Sequence, residues 1–255
     1  MIARGLLLAA TLWCAAARAD PLDALVAAYP DALTGHDATQ IFWRDGTAMA
    51  VSDGQANKSF DQLLRNASIL DQFRQPYPQG PLSAPPARDD DPGRFRNEAF
   101  FRKMYGNCRE PGFAANLASI VWLPRSWGKA IRVTKINGVA DKLRAVSAEI
   151  DAMPASVKRA AYPIAGVFNC RAVRDTGQPS MHAYAAAIDL NIRFADYWLW
   201  QKSAAFGLIF YRNRMPPEIV AAFERHGFIW GGKWYHYDTM HFEYRPELLA
   251  DPDQR

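Results

Sequence analysis

Several signatures common in chains of this size are missing here. There is no H-E-x-x-H helix, which excludes the commonest zinc-protease signature. No run of Lys and Arg marks a nucleic-acid surface. Internal repeats are absent, and the first apolar run, residues 5–17, is shorter than the ~20 residues a bilayer crossing requires. Cysteine is scarce: of three, Cys14 lies in that apolar run, which leaves Cys108 and Cys170. What the chain does have is 49% apolar residues, ample for a packed core.

The first nineteen residues read as an export signal. One positive charge precedes the apolar run, and Ala17-Arg18-Ala19 has the small-x-small pattern of a cleavage site. A mature chain starting near Asp20 and working in the periplasm or outside the cell is expected, with a retained anchor as the weaker alternative. Cys14 follows Trp13, a poor context for lipid attachment. Without residues 1–19, Lys plus Arg falls from 30 to 28 against 26 acids, a net charge of only +2. In an exported chain Cys108 and Cys170 read first as a disulfide closing a long loop, ahead of a thiol ligand or nucleophile.

The pattern along the chain predicts an α+β fold. A short amphipathic helix is expected over residues 22–28, and two short strands within 40–51 around the turn dipeptide Asp45-Gly46. Ser59 opens a helix predicted to run to Leu70, with Leu63, Leu64, Ala67 and Leu70 on one buried face. Residues 75–93 are crowded with Pro and Gly and read as a loop whose Asp89-Asp90-Asp91 run is a solvated tip. A denser core is expected from residue 94 to 255, making 20–93 an N-terminal elaboration. Within the core, strands are predicted at 119–123, 130–134, 164–169 and 187–192, and helices at 139–153 and 216–224. A last strand pair straddles Gly231-Gly232 and runs through 234–244.

Two histidines and a carboxylate can hold a zinc ion with its fourth position open, the arrangement of a hydrolytic site. His182, Asp189 and His241 offer that set. Taken singly each has a structural reading: Asp189 as a salt-bridged strand residue, His182 as a loop histidine, His241 as a satisfied core histidine. Asp238 precedes His241 by three, and in an unbroken strand such residues face opposite ways. Both reach one site only if the chain bends near Thr239.

The joint pattern carries more. Ser180-x-His182-x6-Asp189-Leu190, followed by Trp234-Tyr235-His236-Tyr237-Asp238-x-x-His241-Phe242, resembles the VanY-type zinc peptidases of the D-Ala-D-Ala carboxypeptidase family. That family includes D,D-carboxypeptidases, D,D-dipeptidases and L-alanyl-D-glutamate endopeptidases of cell-wall and phage enzymes. The resemblance implies a hedgehog/D-Ala-D-Ala peptidase-like core with a small antiparallel sheet and flanking helices. It makes His182, Asp189 and His241 the zinc ligands and Asp238 the general base. Arg171 takes the place of the family's oxyanion-stabilising arginine. Ser180 orders the His182 loop and is a candidate substrate contact. Apart from the resemblance, His236 has opposite strand parity to His241 and reads as a decoy or as a candidate contact to substrate or metal. Peptidoglycan stem peptides are the implied substrate, cut at L-Ala-D-Glu or D-Ala-D-Ala. A non-catalytic zinc-stabilised binding module of the same fold is the rival from another class, and a wall amidase is a third possibility. One departure stands out: the family's glycine falls at Ala185, where alanine costs little only if its φ is negative.

Overall fold

The computed structural model describes residues 20–174, 176–201, 203 and 206–249, so the expected signal at 1–19 lies outside the described residues. Asp20 accepts a hydrogen bond from the Leu22 amide and Pro21 takes the first helical position, which together start α1 (Pro21–Ala28). Leu22 and Leu25 are its buried face. Three short strands follow in one antiparallel sheet: β1 (Leu33–His36), β2 (Gln40–Trp43) and β3 (Ala48–Ala50). The Asp45-Gly46 turn joins β2 to β3 as its dipeptide predicts. β1 was not expected, because Thr34-Gly35-His36 lacks apolar alternation.

A capping box of Ser59 and Gln62 opens α2 (Phe60–Asn66), but the helix stops before Leu70. Lys58 Nζ takes the Asn66 carbonyl at 2.8 Å, and the Ser68 amide and hydroxyl both donate to Asp71 Oδ2 at 2.9 Å. These local bonds compete with the helical ladder and turn the chain, leaving Leu63 and Ala67 buried and Leu70 exposed.

Beyond the proline-rich loop, Asn97 caps α3 (Glu98–Tyr105), and β4 (Leu117–Trp122) pairs with β5 (Lys129–Thr134) as a hairpin. The expected turn at Asn137-Gly138 leads into α4 (Val139–Ala152), which buries Leu143, Val146 and Ile150; α5 (Ala155–Lys158) follows Pro154. The strand predicted at 164–169 does not form. Its backbone bonds are split between two partners, Gly166 with Asp189 and Asn169 with the His182 carbonyl, so no continuous ladder develops.

The sheet that matters for the site has the order β6–β8–β7, all antiparallel: β6 (Ala187–Asp189), β8 (His241–Tyr244) and β7 (Phe228–Trp230). α6 (Pro217–Arg225) precedes β7 and lays Phe223 flat on Phe242, with ring centroids 3.9 Å apart. The strand predicted over 187–192 is shorter than expected, because the Asn191 side chain caps a 3-10 turn and puts Ile192 in solvent. The predicted last pair is shorter too: a 3-10 turn (Gly231–Lys233) and a loop to Met240 separate its strands. Gly231 and Gly232 start the turn because any Cβ there would collide, at 2.7 Å from the Asp238 carbonyl and 2.1 Å from the Trp230 ring.

One principal core runs from Leu22, Tyr29 and Trp43 through α3 and α4 to Phe242 and Tyr244, so the N-terminal segment and the later elements share it. The architecture is α+β with small antiparallel sheets and flanking helices. Cys108 and Cys170 form a disulfide, as their pairing predicts, with Cα atoms 5.7 Å apart. No helix of the described residues is long and apolar enough to cross a membrane.

Candidate metal centre and its cleft

β6 and β8 pair in the register that sets Asp189 opposite His241. His182 comes from the 3-10 turn Met181–Tyr184, whose first amides are ordered by Ser180: its buried hydroxyl accepts from the His182 amide at 3.3 Å. The side chains converge. His182 Nε2 lies 3.2 Å from Asp189 Oδ2 and 3.2 Å from His241 Nδ1, and His241 Nδ1 lies 2.9 Å from Asp189 Oδ1.

The far side of each imidazole decides what its near side offers. His182 Nδ1 lies 2.6 Å from the Val167 carbonyl, which can only accept, so that nitrogen carries the hydrogen. His241 Nε2 lies 2.9 Å from Glu243 Oε2, and an ionised carboxylate likewise only accepts. In neutral rings the two nitrogens that face each other are therefore both lone pairs, with carboxylate oxygens beside them. Such a cluster of acceptors requires a cation. Without a metal the demand falls on a proton: burial pushes the His241 pKa down, but bonds to Asp189 and Glu243 outweigh it and hold it at about 10. Asp189 is correspondingly drawn well below the usual carboxylate range, its burial outweighed by His182 and His241. The residues fit a divalent ion held by His182 Nε2, Asp189 and His241 Nδ1.

Glu243 was not singled out from the sequence. It is fully buried, and burial would raise its pKa, but Arg96 at 3.2 Å, His241 and Arg245 at 3.3 Å pull it down to about 2. Its spacing was a usable signal, since residues i and i+2 of a strand share a face.

The bend expected near Thr239 is there. The His241 amide donates to the Asp238 carbonyl at 3.2 Å, closing a turn over Thr239 and Met240. Thr239 is clamped: its amide donates to Asp196 O at 3.0 Å, its hydroxyl accepts from the Asp196 amide at 2.7 Å, and Trp230 Nε1 donates to its carbonyl. Asp238 thus borders the same cleft as His182 and His241. Its Oδ1 has no hydrogen-bond partner in the protein, and burial, with the charge of Asp189 behind it, pushes its pKa up to about 7.

Arg171 is exposed at the rim of this cleft, immediately after Cys170 of the disulfide, where its carbonyl accepts from the Ser180 amide. His236 forms part of the wall, with Nδ1 2.7 Å from Asp91 Oδ2. The Asp89-Asp90-Asp91 run is therefore not a solvated tip: Asp91 is completely buried, paired also with Arg94 at 2.7 Å. Arg94 and Arg96, neither marked by any motif, border the cleft as well. At Ala185 φ is +55°, so the alanine does sit in the left-handed conformation that the family's glycine suits.

Residues 174–244 match the family model described as D-alanyl-D-alanine carboxypeptidase. The matched stretch contains His182, Asp189, Asp238 and His241, while Arg171 lies just before it. No curated protein and no solved structure gave a match. The motif spacing and the family match point the same way: over residues 174–244 the chain is similar to the D-alanyl-D-alanine carboxypeptidase family.

Proposed function

We propose that the protein is an exported zinc metallopeptidase of the periplasm or cell exterior that hydrolyses peptide bonds in peptidoglycan stem peptides. In this reading its core has the hedgehog/D-Ala-D-Ala peptidase arrangement. The observation that carries the proposal is the set of acceptor atoms of His182, Asp189 and His241 aimed at one point. Two imidazoles and a carboxylate with an open fourth position suit zinc best. When bound, the ion supplies Lewis acidity for the scissile carbonyl and for the attacking water.

The chain's own groups do the rest. Asp238 has one carboxylate oxygen without a protein partner, and its raised pKa suits proton exchange near neutral pH. It accepts a proton from the attacking water as the new C–O bond forms. It then delivers that proton to the leaving amine as the C–N bond breaks. In this reading Arg171, exposed at the cleft rim and in no ion pair among the described residues, stabilises negative charge developing on the carbonyl oxygen. Ser180 keeps the His182 turn in place through its amide bond.

Mass spectrometry of muropeptides incubated with the zinc-loaded mature chain tests this. A new amine and carboxylate pair is expected at either L-Ala-D-Glu or D-Ala-D-Ala, which also names the branch. The Asp238→Asn variant should keep its zinc and lose about 10²- to 10⁴-fold in rate, the span a positioned base contributes. Zinc-loaded protein that leaves every muropeptide intact, with or without the replacement, would instead establish a zinc-stabilised binding module. Cleavage at the sugar-peptide amide would make it an amidase.

A further inference from the structure

The peptidase reading assigns no task to Asp91, yet this wholly buried carboxylate is held at three points. Asp91 Oδ1 accepts from the His236 amide at 2.9 Å, and Oδ2 accepts from His236 Nδ1 and from Arg94 Nη1, both at 2.7 Å. Its neighbours fasten the same strap: Asp90 O accepts from the Tyr235 amide at 2.8 Å, and Pro92 O accepts from Trp234 Nε1 at 2.7 Å. Burial alone would raise the Asp91 pKa, but His236 and Arg94 hold it below the usual range, so it stays an acceptor. His236 Nδ1 must then carry the hydrogen.

The imidazole is also clamped by rings. Phe60 of α2 stacks on it with centroids 5.6 Å apart, and Trp198 meets it edge-on at 4.8 Å. Its remaining nitrogen, Nε2, makes no hydrogen bond among the described residues, and the residue borders the cleft that holds Asp238 and His241. A histidine needed only for packing has no use for a wholly buried carboxylate that fixes one ring nitrogen while the other is left without a partner among the described residues.

We propose that Asp91 is a positioning residue that sets the tautomer and orientation of His236, so that His236 Nε2 accepts a hydrogen bond from a backbone N–H of the peptide substrate. The N-terminal segment thereby supplies part of the peptide-binding cleft. This rests on the peptidase reading. The ligand class is a peptide bearing a carboxylate, because Arg171, in no ion pair among the described residues, borders the same cleft.

The test uses the zinc-loaded mature chain with a muropeptide it cleaves, and compares Asp91→Asn, His236→Phe and the double variant. Asparagine is isosteric, but its amide can donate to Nδ1 and so favour the wrong tautomer. Phenylalanine keeps the ring and removes the acceptor. Each single variant should raise KM about 3- to 10-fold, the worth of one hydrogen bond, with kcat changed less than about twofold. Zinc content should remain one per chain, and the double variant should be no worse than His236→Phe alone. His236→Gln, which restores an acceptor, should recover part of the loss. Unchanged KM, fully additive effects, or a KM rise that only tracks a fall in thermal midpoint would overturn the proposal while leaving the peptidase intact. If the wild-type chain cleaves no muropeptide and calorimetry on Asp238→Asn detects no binding either, both readings fail together.

Discussion

His236 and His241 lie on the same stretch of chain, and each has one ring nitrogen held by a fully buried carboxylate, Asp91 at 2.7 Å and Glu243 at 2.9 Å. Their surroundings diverge from there. The free nitrogen of His241 faces His182 and Asp189, so it belongs to a cluster of acceptors that calls for a cation. The other nitrogen of His236 has no hydrogen-bond partner among the described residues, and the residue borders the cleft. The carboxylates differ in origin as well. Glu243 comes from the same strand two residues away, whereas Asp91 arrives from the proline-rich loop, 145 residues earlier. In the proposed reading one device, a carboxylate fixing an imidazole tautomer, serves a metal position in one place and a substrate-facing position in the other. What the opposite edge of the ring meets decides which.

The comparison breaks most sharply on Glu243→Gln against Asp91→Asn. Loss of the carboxylate behind a metal-binding histidine typically weakens metal affinity 10- to 100-fold. A chelating-dye competition should show that loss for Glu243→Gln and none for Asp91→Asn. Equal losses would mean that both histidines serve the metal.

A smaller effect separates the two through pH. In metal-free protein the His241 pKa is raised to about 10, so its contribution to stability is fully present below the unfolded value of about 6.5 and is lost as pH rises through the folded one. In zinc-loaded protein the ion takes the proton's place, and metal affinity grows as ligands deprotonate. The gap between zinc-loaded and chelator-treated thermal midpoints should therefore widen steadily from pH 6.5 to 9. A constant gap would show that His241 is not the group the metal displaces a proton from.

The metal half of this contrast was open to sequence reasoning and the cleft wall was not. The spacing of His182, Asp189 and His241 is a local code written on one turn and two paired strands. The parity of Asp238 and His241 even demanded the turn at Thr239 that the backbone makes. Helices α1, α4 and α6 were legible because apolar spacing, Pro starts and Gly or Pro stops agree. Asp91 was hidden for a physical reason: in composition it is one of three consecutive acids in a polar loop, and its burial depends on docking against residues 234–236. The segment at 164–169 misled in the opposite direction, since β-forming residues there divide their backbone bonds between Asp189 and His182.

The smallest effect concerns Ala185, buried with φ +55° in the turn that follows His182. Relief of left-handed strain in Ala185→Gly is worth about 1–2 kcal/mol, against about 0.8 kcal/mol for the lost buried methyl. A net gain of up to about 1 kcal/mol should raise the thermal midpoint by at most about 2–4 °C without altering zinc content. A lowered midpoint would mean that packing of the methyl outweighs the strain.

The central claim is that three acceptor atoms, two of them left as lone pairs by their outer hydrogen bonds, hold one divalent ion. Elemental analysis of the mature chain after dialysis against micromolar zinc tests it directly. The account predicts one zinc per chain in the wild type and in Asp238→Asn, and nearly none in His182→Ala. A folded wild-type chain that retains no zinc, or a His182→Ala chain that retains it fully, would contradict it.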